Sequence, residues 1–225
     1  MPGAFTLVLE TSTPHASIAL VGPDGDLELR GFCSDRNHNA MLFEPLQELL
    51  QSGRDIRLVL VGSGPGSYSG TRVGIAAAQG VAIALACPAL AMPSILGVPS
   101  AHGGARCLAI GDARRGIFWT VGVDNFRLVG EPQLCDAEGL ESAVMRAVEA
   151  GITVFSFEDS GRFPLRDELR GQIKLEFPDA TRLWQAWHGT DEQTRSGWTS
   201  EIPQPLYLKP PHITPAKRPW LLRPV

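Results

Sequence analysis

At 225 residues the chain has room for one large domain or two small ones, and 44% hydrophobic against 20% charged residues is the balance of an ordinary globular protein. A net charge of −4 argues against a protein dominated by phosphate contacts. Cys33, Cys87, Cys107 and Cys135 show neither CxxC nor metal spacing, which predicts reduced thiols in a cytoplasmic protein and excludes a disulfide framework. No basic stretch followed by an apolar core opens the sequence, so no secretion signal is read.

The first elements read as three antiparallel strands. Phe5–Leu9 is a buried strand, Glu10–Pro14 a polar turn, and Ala16–Val21 the returning strand. Gly22-Pro23-Asp24-Gly25 is a hairpin turn, and alternation from Leu27 to Phe32 gives the third strand. A helix is predicted over 39–51 with Met41, Leu42, Leu46, Leu49 and Leu50 on its apolar side; Pro45 must sit in its first turn or kink it. Ile56–Val61 is a further buried strand.

That strand leads into Gly62-Ser63-Gly64-Pro65-Gly66-Ser67-Tyr68-Ser69-Gly70-Thr71-Arg72-Val73-Gly74, a glycine-rich turn opening a small-residue helix that stops at Pro88. Strand, glycine turn and helix present backbone N–H groups at a helix N-terminus. Two readings stand: an anion site, or a turn that seats a helix. The turn lacks the Gly-Lys-Ser/Thr of a phosphate loop, and Pro65 breaks the dinucleotide spacing. Gly70, Gly74, Ala78, Ala82 and Ala86 recur every four residues and give one helix face small side chains, for packing within the chain or against a partner helix. The run is too short and too rich in alanine and glycine for a membrane span. A short strand at 89–92 and a weaker helix at 94–101 complete the first half.

The second half starts again in the same way. Strands are read at 107–110, 117–123 and 126–129, a helix at 137–150, a strand at 152–157 and a helix at 180–187. From Pro203 onward prolines and the cations Lys209, Lys217, Arg218 and Arg223 predict an extended basic tail. The organisation is therefore α/β: a βββαβα unit duplicated, with the second copy reduced, over lobes 1–101 and 102–202 and a tail 203–225. This is the plan of two-lobed, actin-like ATPase (ASKHA) folds. In that class an acidic residue closes the first strand of each half and faces a nucleotide, which here points to Glu10 and Asp112; both also suit turn caps.

Several motifs carry a more specific resemblance. They are Leu9-Glu10-Thr11-Ser12-Thr13, His38 with Leu42-Phe43-Glu44-Pro45-Leu46, the Gly62–Gly74 string with Ala78-Gln79-Gly80, Asp112–Gly116, and Pro205-Leu206-Tyr207-Leu208. They are similar to those of the TsaB (YeaZ) family, accessory proteins of bacterial tRNA threonylcarbamoyladenosine (t6A) biosynthesis. The likeness is dense over 4–123 and thin afterwards. It implies a degenerate two-lobed ATPase without catalysis of its own. It further implies pairing with a catalytic paralogue, TsaD, that transfers threonylcarbamoyl to the adenosine 3′ of the anticodon, together with a TsaE-type ATPase. The pairing surface it implies lies on the helices after His38 and after Gly70: His38, Leu42, Leu46, Gly70, Arg72, Gly74, Ala78 and Val81. Candidate nucleotide or phosphate residues are Glu10, Thr11, Gly64, Gly66, Ser67 and Asp112, with Glu10 standing where relatives usually have Asp. The resemblance implies no cofactor on the isolated chain, ATP only in the assembled complex, homodimers when alone, tRNA met through the complex, and no membrane.

The competing reading is a free-standing nucleotide-binding ATPase using Glu10, Gly64–Gly70 and Asp112. No Gly-Gly pair in 150–200 supplies its adenosine loop. A peptidase is disfavoured: His15, His38, His102, His188 and His212 include no i, i+4 pair for a metal, and no Ser/His/Asp set is legible. No catalytic or metal-binding residue is therefore assigned.

Overall fold

The computed structural model describes residues 4–33 and 38–208. In the first unit, β1 (Phe5–Glu10), β2 (His15–Val21) and β3 (Leu27–Cys33) pair antiparallel. They are followed by α1 (His38–Leu50), β4 (Ile56–Gly62), α2 (Tyr68–Leu85) and β5 (Ala89–Met92). β4 and β5 join parallel to β1, giving the strand order β3-β2-β1-β4-β5. The second unit repeats the plan: β6 (Cys107–Asp112), β7 (Phe118–Asp124), β8 (Arg127–Cys135), α3 (Ala137–Glu149), β9 (Thr153–Ser156), α4 (Asp167–Arg170) and β10 (Ile173–Leu175). Its sheet order, β10-β9-β6-β7-β8, is the same arrangement. The duplicated, two-lobed actin-like fold is therefore present, and each unit ends in one more strand than βββαβα. The reduction of the second unit has a location: α4 has four residues where α2 has 18.

The layers follow from strand alternation. Leu7, Leu9, Val59 and Val61 face α1 and α2, while Val8 and Leu60 face the other way. That other face meets Trp119, Val121 and Phe155 of the second sheet in one core. Ile110, Phe118 and Val154 face α3 and α4. After β10 the chain returns to the first unit. α5 (Ala180–Gly189) packs on β1, β2 and the segment after β5, burying Ala180, Leu183 and Ala186. α6 (Glu192–Ser200) follows.

Some expectations are corrected. The helix read at 94–101 is two 3-10 turns, Ser94–Gly97 and Pro99–Gly104, because Val98 before Pro99 is extended (φ −100, ψ 160). β8 runs to Cys135 through Pro132, which an edge strand tolerates. Pro45 lies inside α1 and not in its first turn. α4, β10 and α6 are absent from the sequence reading because each is short or weakly patterned. Of the predicted tail, residues 203–208 form a strap against the first unit; 209–225, with its four cations, lie outside the described residues.

Candidate functional site

The glycine turn is shaped by what it packs against. Ser67 caps α2, its Oγ accepting from Gly70 N at 3.2 Å, and its own N–H donates to Ser12 O at 2.6 Å. Thr11 Oγ1 donates to Gly70 O at 2.8 Å. Ser63 N–H donates to Met92 O at 2.7 Å, and Gly64 N–H to Ser94 Oγ at 2.9 Å. The glycines allow this closeness. A Cβ at Gly66 would run into Ser12 O, one at Gly70 into Thr11 O, and one at Gly74 into Thr11 Oγ1. Of the two readings of this turn, the packing favours the one that seats α2 on the β1–β2 turn. The donors of Ser63, Gly64, Ser67 and Gly70 already have partners within the chain.

Glu10 and Asp112 end corresponding strands in different surroundings. Glu10 is fully buried; its Oε1 accepts from Ser12 N–H at 2.7 Å, and Oε2 has no hydrogen-bond partner. Burial pushes its carboxyl above the usual range, and hydrogen bonds from Ser12 oppose that only in part. A Cβ at Gly62 would collide with this carboxylate, so the glycine makes room for it. Asp112 faces the gap between the units. Its Oδ1 accepts from Arg114 N–H at 2.6 Å, and its Oδ2 lies 3.5 Å from Arg114 and 3.8 Å from Arg162. Its own N–H donates to Glu158 Oε2 at 2.7 Å.

A cleft of about 620 Å³ separates the units, and Gly66, Ser67 and Asp112 line it. Glu10, Thr11 and Gly64 do not reach it: Glu10 and Thr11 are fully buried behind its wall. Glu158, Asp159 and Arg162 complete the charged side, and the sequence reading missed them because no motif surrounds them. Among the described residues no group of three His, Cys, Asp or Glu is placed to hold a metal ion.

The proposed pairing residues divide sharply. Gly70, Gly74, Ala78 and Val81 of α2 and Leu42 and Leu46 of α1 are buried within the chain's own core, so they offer a partner nothing. This corrects the assignment of the Gly70/Gly74/Ala78 stripe to a partner surface: that stripe rests on Thr11. The side chain of His38 lies outside the described residues. Among the described members of the set, Arg72 alone is exposed. It belongs to the opposite stripe, Arg72, Ala76, Gly80, Ile83 and Ala84, which faces outward with Ile83 82% exposed. A side chain at Gly80 would enter open space. Met41 and Phe43 of α1 are exposed as well. The four-residue recurrence of 72, 76, 80 and 84 was visible in the sequence.

The family model described as "TsaD: tRNA N6-adenosine threonylcarbamoyltransferase" matches residues 33–147, just over half of the chain. The chain belongs to this family, in its TsaB (YeaZ) branch. The tRNA threonylcarbamoyladenosine biosynthesis protein TsaB of Escherichia coli is 31% identical over 122 residues, 50% of this chain and 52% of that protein. The Bacillus subtilis protein of the same name is 30% identical over 120 residues, 51% and 52% of the two chains. These matches thus span about half the length of the curated relatives. A solved structure from Pseudomonas aeruginosa, described as an uncharacterized protein with similarity to peptidase YEAZ, superposes with a TM-score of 0.69 at 24% identity. It covers 92% of this chain and 100% of its own. YeaZ from the same organism gives 0.62 at 22% identity, covering 91% and 100%. These structures share the fold. Among the described residues no helix is long and apolar enough to cross a membrane.

Proposed function

We propose that this chain is a non-catalytic subunit for t6A modification of tRNA, pairing with a TsaD-type catalytic paralogue through the outward faces of α2 and α1. The observation that carries this reading is the stripe Ala76, Gly80, Ile83 and Ala84 on a family member: apolar, mostly small and exposed, with open space beyond Gly80. Small residues on such a face let a second helix approach to about 8 Å. The same face serves a homodimer when the paralogue is absent. A TsaE-type ATPase joins the assembly, tRNA is met there, and the setting is cytoplasmic. ATP belongs to the assembled complex and not to the isolated chain, whose first-unit carboxylate, Glu10, is sealed from the cleft.

The test is the affinity of the purified chain for the paralogue with and without Ile83→Glu. A charge in the middle of a close helix contact should weaken pairing at least about tenfold, a loss of about 1.4 kcal/mol. The melting temperature should hold, since Ile83 is 82% exposed. Unchanged affinity would remove α2 from the interface. Calorimetric titration of the isolated chain with ATP addresses the competing ATPase reading: saturable micromolar binding would favour it.

A further inference from the structure

α6 buries no residue completely, yet one face of it is turned toward the body of the chain. Thr194, Gly197, Trp198 and Glu201 recur at i, i+3, i+4 and i+7 and line a half-open cavity of about 490 Å³. Pro93 after β5, Ile202, and Pro205, Leu206 and Tyr207 of the strap close its other sides. The volume is that of a small-molecule pocket, and the walls are largely apolar side chains.

The charge in this cavity is all of one sign. Glu201 is the single charged residue of the lining, and among the described residues it makes no ion pair. It stands at the C-terminus of α6, the negative pole of the helix, and no basic residue occupies the last turn. A carboxylate at that pole is unfavourable unless a cation meets it. The one cation within α6 is committed elsewhere: Arg195 Nε donates to Thr190 O at 3.0 Å, and its guanidinium lies 5.7 Å from the Trp187 ring centre. Arg72 Nη2 donates to the Tyr207 hydroxyl at 2.7 Å from outside the lining. Two aromatic rings join the carboxylate. Trp198 is half-buried, its ring centre 6.2 Å from that of Trp187, and Tyr207 is 51% exposed. Helix pole, carboxylate and π-faces each favour a positive charge, and the methylene stem of an alkyl amine suits Pro93, Ile202 and Leu206. An anion would be repelled by each of these groups, and a neutral ligand would cover Glu201 without pairing it.

We propose that the cavity between α6, β5 and the strap binds an alkylammonium group, with Glu201 and the α6 C-terminus facing the charge and Trp198 lying against it. A free polyamine and a lysine side chain of another protein both carry this group. None of these residues belongs to the outward stripe of α2, so the site stands apart from the pairing face.

The experiment is calorimetric titration of the full chain with spermidine and, separately, with N-acetyl-lysine amide. Saturable one-site binding of at least one of them, weakened by salt, is expected. Binding of spermidine alone identifies a free polyamine, and equal or tighter binding of the lysine derivative identifies a side chain. Glu201→Gln keeps the shape and removes the charge, and should weaken binding at least about tenfold. Trp198→Leu should weaken it about fivefold and Trp198→Phe about twofold. Glu201 is exposed, so Glu201→Gln should melt as wild type and carries the test even if Trp198→Leu is unstable. Glu192→Gln removes a carboxylate of α6 that does not line the cavity, and should bind as wild type. The proposal is overturned by absence of saturable binding of either amine, or by Glu201→Gln or a folded Trp198→Leu binding as wild type. Glu192→Gln weakening binding as much as Glu201→Gln would overturn it too, marking diffuse attraction to an acidic surface. So would pentanol binding as tightly as pentylamine, which would mark an apolar pocket indifferent to charge.

Discussion

Glu10 illustrates how burial converts a side chain into a pH-dependent term. Its carboxyl is sealed between Gly62 and Ser12, and desolvation raises its folded pKa above the unfolded value of 4.5. Below about pH 4.5 both states carry the proton and the contribution to stability is fully present. As pH rises past that point the unfolded chain ionises first, so stability falls until the folded carboxyl also titrates. Glu10→Gln keeps the acceptor for Ser12 N–H without the titration. It should match wild type near pH 4 and become the more stable of the two as pH rises toward neutral, read from denaturant midpoints across the range. Parallel curves for the two proteins would exclude the effect. Gly74 sets two other magnitudes against each other. Alanine would gain about 1 kcal/mol of helix propensity. Its Cβ would strike Thr11 Oγ1, which is fully buried and bonded to Gly70 O and so has nowhere to go. Overpacking of about 1–3 kcal/mol should win, and Gly74→Ala should lower the melting temperature of the isolated chain. A rise would mean that Thr11 can move aside.

At the scale of the element, α2 is defined by its two ends. Ser67 closes the first turn, and the last turn closes with Ala86 in the left-handed region (φ 50, ψ 43), Cys87 N–H reaching back to Ala82 O at 3.0 Å. That conformation costs an alanine about 1–2 kcal/mol that glycine does not incur, and glycine's larger unfolded entropy returns about 0.4–1 kcal/mol of the gain. Ala86→Gly should therefore stabilise the chain by roughly 0.5–1 kcal/mol, raising the melting temperature by a few degrees. Ala86 is exposed, so the substitution alters no core contact that would obscure the result. A fall in melting temperature would show that helix propensity governs this position instead.

At the scale of the whole molecule, one core joins the units. Val8 and Leu60 from the first sheet, Trp119 and Phe155 from the second, and Leu183 from α5 all belong to it. Leu183 is fully buried there, and a Cβ at Gly97 would already press on it. Leu183→Ala should cost about 2–5 kcal/mol. Because the core is shared, tryptophan fluorescence and far-ultraviolet circular dichroism should still report one coincident transition. Separate transitions would show that the units are stabilised independently and that α5 serves only the first.

The sequence by itself determined the doubled plan, because central strands buried on both faces read as apolar runs such as Leu58–Val61 and Cys107–Ile110, whatever they later touch. It left the glycine turn open between an anion site and a seat for α2, and only the packing against Thr11 and Ser12 favours the seat. β10 and α4, at three and four residues, carry too little periodicity to be legible, and their existence depends on β9 and α3 being in place first. Which face of α2 looks outward was also beyond the sequence. Stripes 70/74/78/82 and 72/76/80/84 are both nearly all small, lie on opposite sides, and share the same four-residue spacing. Periodicity sets the angle between them but not which one is buried. That was decided by Thr11, 59 residues away from Gly70 in the chain, whose hydroxyl can meet the helix only where glycine leaves room. The Arg72–Tyr207 contact spans 135 residues and is likewise a product of folding alone.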